Sequence, residues 1–160
     1  MKIVTTLLTA VVMFGAAGIA QADSKPFLYI SATTGSLEFG KPTQSDDYST
    51  APGKAMFPGV LFSSSATFMV QVESNCLHGP VIASITTLRH PRGSFIAPER
   101  IFIKSPTTNG YVTMAKPVVI SRPEIGSHDI DLNFRLEVLP SDRAGQYQGT
   151  ITFTIMPPPP

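Results

Sequence analysis

The chain has one cysteine, no tryptophan, a net charge of only +1 and, after Ile19, no long apolar run. Each shortage excludes something. A lone Cys76 cannot close an intrachain disulfide, so the fold must be stabilised by burial. Its thiol reads as a small buried hydrophobe, with a reactive or intermolecular thiol as the alternative. Twelve bases against 11 acids leave no electrostatic footprint for a phosphate backbone or an anionic membrane, which argues against nucleic-acid binding. There is no Gly-x-Ser-x-Gly elbow and no glycine-rich phosphate loop. His78, His90 and His128 lie on separate segments. Cys76 and His78 offer two metal ligands where a closed zinc site needs four. Asp129, Asp131 and Asn133 carry calcium-type oxygens, but they alternate along a strand and read as its wet face. No catalytic, cofactor-binding or metal-ligating residues are expected, and the chain reads as a non-enzyme. Without tryptophan, Tyr48 and Tyr111 are the loop-placed aromatics left for sugar stacking.

What is present begins with a leader. Lys2 supplies a positive charge, residues 3–19 are mostly apolar, and Ala20-Gln21-Ala22 has the small-x-small pattern of a peptidase site. Residues 1–22 are therefore expected to be a secretory signal peptide. The alternative is a membrane anchor, but no Lys/Arg cluster follows the apolar run. Removing Lys2 with the leader leaves 11 bases against 11 acids. The expected products are one domain over 23–156 and a proline tail over 157–160, secreted to the periplasm or cell surface.

The domain is written in strands. Along Ile130–Val138, Ile130, Leu132, Phe134, Leu136 and Val138 fall on one side, and Asp131, Asn133, Arg135 and Glu137 on the other. Side chains alternate across a strand, so one face is buried and the other solvated. Ile151, Phe153 and Ile155 repeat the scheme against Thr150, Thr152 and Thr154, and threonine suits a pleated wet face. Thr67–Glu73, Pro80–Leu88, Arg100–Ser105, Tyr111–Ala115 and Pro117–Ser121 are further β-rich runs bounded by turn residues. No segment after residue 22 keeps a helical period. The expectation is an all-β, antiparallel β-sandwich of roughly seven to nine short strands.

Two features stand apart from the strands. Residues 40–59 form a long run with no sustained period, and such loops are usually functional or disordered. Asp46, Asp47 and Tyr48 are its candidate ligand residues. Gly145 and Tyr147, in Arg143-Ala-Gly-Gln-Tyr147, fit a corner in which the tyrosine hydroxyl bonds nearby backbone while glycine supplies the turn. A plain turn with an outward tyrosine is the alternative.

Leu136–Ile155, LEVLPSDRAGQYQGTITFTI, resembles the terminal hairpin of secreted bacterial immunoglobulin-like modules of fimbrial-type and cell-surface proteins. Ser36–Gly40 and Val70–Asn75 are similar to the same pattern. The chain departs from chaperone–usher pilins in lacking paired cysteines and in ending on prolines, and it has no Trp-x-Leu motif. The resemblance implies an immunoglobulin-like sandwich and a surface location, and the leading expectation is a structural or adhesive module partnered by copies of itself or by other surface or pilus proteins. No second apolar segment of spanning length follows the leader, so no membrane span is expected once it is removed. The competing expectation is a carbohydrate- or ligand-binding sandwich that uses the 40–59 loop.

Overall fold

A computed structural model describes residues 5–7, 11–13, 27–32, 36–39 and 60–158. Strands are numbered along the chain. The first sheet contains β3 (Leu28–Ala32), β5 (Val60–Ser63), β6 (Phe68–Ser74), β10 (Ile101–Lys104), β11 (Val112–Thr113) and β13 (Gly126–Val138). Its order is β11-β10-β13-β6-β3, with β5 following β6 along the same flank of β13. The second sheet runs β12 (Val118–Ser121), β7 (Val81–Ile85), β14 (Ile151–Ile155), β2 (Val11–Met13). Two ribbons complete the fold: β1 (Thr5–Leu7) with β4 (Ser36–Glu38), and β8 (Leu88–Arg89) with β9 (Phe95–Ile96). All pairings are antiparallel except β2 with β14, which is parallel. Among the described residues the chain is all-β, and its one helical element is the 3-10 turn Pro98–Arg100.

The two sheets bury their inner faces against each other. Ile130, Leu132, Phe134 and Leu136 of β13 join Phe68, Val70 and Val72 of β6 from one side. Val81, Ala83, Ile151, Phe153 and Ile155 meet them from the other. Phe68 ties the layers together: its ring is edge-on to Phe134 at 6.1 Å and stacked on Phe153 at 6.0 Å. Aromatic pairs of this kind add about 0.5–1.5 kcal/mol beyond the area they bury.

Three expectations need correcting. Among the described residues there are fourteen strand segments, twelve of them after residue 22, rather than seven to nine, because turns and irregular pairings cut longer strands into pieces. Thus β5 and β6 are successive partners of one strand, and the run Pro80–Leu88 divides into β7 and β8 around Thr86-Thr87. The Ile130 strand also begins earlier, at Gly126, since β6 extends the ladder to Gly126↔Ser74. Finally, Glu137 leaves the wet face and is buried, where β13 lies between β5 and the Pro98–Arg100 turn.

Candidate functional site

Of the residues singled out above, Asp46, Asp47 and Tyr48 lie outside the described residues. Gly145 and Tyr147 sit together in the connection from β13 to β14. Tyr147 is fully buried, and its hydroxyl donates to the Arg143 carbonyl oxygen at 3.0 Å. The His90 ring packs against it at 5.2 Å. Gly145 has φ +144°, and a Cβ there would meet His90 Nε2 at 2.6 Å. The turn therefore needs glycine twice, for its conformation and for space.

A fork of charge holds the same connection from the other side. Arg100 gives Nη1 and Nη2 to the two Asp142 carboxylate oxygens at 3.2 and 2.6 Å. Asp142 Oδ2 also accepts the Leu139 N–H at 2.7 Å. Bidentate geometry and partial burial make this pair stronger than an exposed ion pair. It joins a base of the Pro98–Arg100 turn to an acid of the connection between β13 and β14.

This connection delivers β14, whose two edges differ. Thr86 N–H donates to Thr150 O at 3.0 Å, and Met156 N–H donates to Pro80 O at 3.0 Å. Residues 150 and 156 thus turn their main-chain groups toward the β7 side. Because these directions alternate along a strand, Ile151, Phe153 and Ile155 turn theirs to the opposite edge. There the partner among the described residues is β2, over three residues from Thr152↔Val11 to Thr154↔Met13. Those β2 residues belong to the stretch read as a leader.

Beyond β14 the chain passes back over Gly79. A Cβ on Gly79 would overlap the carbonyl oxygens of Met156 and Pro157. Around the Asn75–Gly79 turn, main-chain bonds link Asn75 to Phe27, His78 to Glu124 and Gly79 to Met156. Exposed apolar side chains surround this end: Phe27, Leu77, Ile125 and Met156. A grouped apolar surface of this kind is the usual mark of an interaction site.

The histidines at this end are structural in their contacts. His78 is buried and its Nδ1 donates to Gly79 O at 2.6 Å. The His128 ring stacks on it at 5.7 Å. Ser121 gives its only hydroxyl proton to Arg122 O, so His128 Nε2 is the donor to Ser121 Oγ, at 3.3 Å. Near-parallel rings do not converge two nitrogens on one ion. Among the described residues no three His, Cys, Asp or Glu side chains group as metal ligands. Cys76 is half-buried, with Sγ 3.8 Å from Phe27 O, and Asp129 and Asp131 are exposed. No helix among the described residues is long and apolar enough to cross a membrane.

Tyr111 is covered rather than open, with the Arg135 guanidinium 4.0 Å above its ring. Two groups escaped sequence reasoning, the Phe27–Leu77–Ile125–Met156 end and the fork at Asp142. Both depend on which distant turns meet, and the spacing of single residues carries no such signal. No family model matches this chain, and no curated protein matches it.

Proposed function

We propose that this chain is a secreted, non-enzymatic structural or adhesive module with an immunoglobulin-like sandwich fold, and that it assembles through the outer edge of β14. The observation that carries this reading is the asymmetry of that strand. One edge is fully laddered to β7, whereas the other meets three residues of a segment expected to be removed on secretion. Once that segment leaves, the N–H and C=O groups of Ile151, Phe153 and Ile155 have no main-chain partner among the described residues. An unpaired edge is a template for a strand from another chain. The apolar end around Leu77 and Ile125 lies where β14 finishes and adds area to such a contact. The resemblance of Leu136–Ile155 to fimbrial-type modules points the same way.

The test compares the full chain with the processed chain starting at Asp23, by light scattering over a concentration series. The processed chain is expected to form oligomers that a peptide of residues 9–16 suppresses, while the full chain stays monomeric. A processed chain that remains monomeric at every concentration contradicts the reading.

A further inference from the structure

We infer that the outward row Phe95–Arg89–Gln148, with the cleft beside it, is a binding site for an anionic saccharide. This goes beyond the assembly reading and does not depend on it: the row lies at the opposite end of β14 from Met156, on the β8–β9 ribbon.

The row follows from pairing. Arg89 is directly opposite Phe95 in the β8–β9 ribbon, and on its other side it forms a bridge with Gln148. Both Arg89–Gln148 main-chain bonds are 2.8 Å. Residues directly opposite in a sheet share a face, so the three side chains stand in line, and all three are exposed. Phe95 is 62% exposed, more than any other large apolar residue described. Their neighbours Leu88, Ile96 and Tyr147 point the other way into the core.

A bulge makes the cleft. Ile85 pairs with Ile151 and Arg89 with Gln148, which leaves Thr86, Thr87 and Leu88 opposite only Gly149 and Thr150. One extra residue on one strand bends the pair and re-aims side chains, and bulges of this type cluster beside functional sites. Gly149 is needed here, since a Cβ would run into Leu88 Cδ2. The opening has a volume of about 660 Å³ and is lined by Thr86, Thr87, Arg89, His90, Gln148 and Thr150, among others. That size is ordinary for a small-ligand site.

The lining chemistry selects the ligand. No acid lines the cleft, and the Arg89 guanidinium has no hydrogen-bond or ion-pair partner among the described residues. His90 Nδ1 accepts the Arg92 N–H at 3.0 Å, and its Nε2 lies against Gly145. Thr86 Oγ1 accepts the Thr150 N–H at 2.9 Å and still has its own hydroxyl proton to give. The Gln148 amide and the Thr87 hydroxyl are likewise uncommitted among the described residues. A free guanidinium matches a carboxylate or sulfate as a planar two-pronged donor. An amide and several hydroxyls match sugar hydroxyls, and the exposed Phe95 ring offers an apolar face to a sugar ring. A hydroxylated, negatively charged ring uses all of these groups at once.

The test titrates the full chain with three probes by calorimetry: oligogalacturonate, a heparin-derived oligosaccharide and a cello-oligosaccharide. At least one acidic probe is expected to bind and the neutral one not. Binding of oligogalacturonate alone assigns a carboxylate, and binding of the heparin fragment alone assigns a sulfate; either supports the site. Arg89→Gln should weaken binding by about tenfold or more, and Phe95→Ala severalfold. Both residues are exposed, so the melting temperature of each variant should match the parent. The inference is overturned if neither acidic probe binds, if the cello-oligosaccharide binds as tightly, or if Arg89→Gln binds like the parent. Equally tight binding of polyglutamate overturns it in favour of an acidic protein partner.

Discussion

β13 and β14 carry the same alternation and bury the same kind of face, yet only one has firm partners on both sides. Ile130, Leu132, Phe134 and Leu136 are buried along β13, as are Ile151, Phe153 and Ile155 along β14. β13 is bonded antiparallel to β6 and β5 on one flank and to β10 on the other. β14 has β7 on one flank and the short parallel β2 on the other. Side-chain alternation reports which face meets the core. Hydrogen-bonding edges lie at right angles to that direction, so the two properties are independent. A central strand and a strand with one sparsely paired edge can therefore share one sequence pattern.

The largest effects should show where the two strands are alike. Phe134→Ala and Phe153→Ala each remove a buried ring that packs on Phe68, and each should cost about 3–5 kcal/mol in urea unfolding. A loss at Phe153 far below that at Phe134 would mean that β14 is a loosely held appendage rather than a full member of the core. The connection between the strands comes next. Asp142→Ala strips Arg100 of both its bonds and frees the Leu139 N–H. It should cost about 2–3 kcal/mol, read from the same unfolding curves.

The corner should respond more mildly to a subtler change. Tyr147→Phe keeps the packing against His90 but loses the bond to Arg143 O. A loss of about 0.5–1.5 kcal/mol is expected; no loss at all would show that the hydroxyl bond contributes nothing. The smallest change in stability should come from deleting Pro157–Pro160, within about 0.5 kcal/mol. Proline has no N–H to extend a ladder, and Pro157 and Pro158 follow β14 closely. The deletion should raise self-association of the processed chain in light scattering while leaving its unfolding curve in place.

How much was legible follows from the same distinction. Local alternation is enough to locate the cores of β6, β13 and β14, because burial of one face leaves a period of two in the residues themselves. The Gly145–Tyr147 turn was also visible, since the residue types that make such a corner sit within five positions of one another. The row Phe95–Arg89–Gln148 was not. Arg89 carries no motif of its own, and its two neighbours come from separate segments, Gln148 lying 59 residues away in sequence. A bulge shifts the register that brings them together, and nothing in the spacing of Thr86, Thr87 and Leu88 announces it. The burial of Glu137 escaped for a similar reason: it depends on what packs over the strand, not on the strand's own period.

Amide hydrogen exchange on the processed chain tests the outer edge of β14 most directly, because it reads each strand residue separately. In dilute monomer, Phe153 and Ile155 should exchange quickly while Thr152 and Thr154, whose amides face β7, exchange slowly. Raising the concentration should slow Phe153 and Ile155 and leave Thr152 and Thr154 unchanged. Equal protection of all four amides in the dilute monomer, or oligomers that form without slowing Phe153 and Ile155, would contradict assembly through this edge.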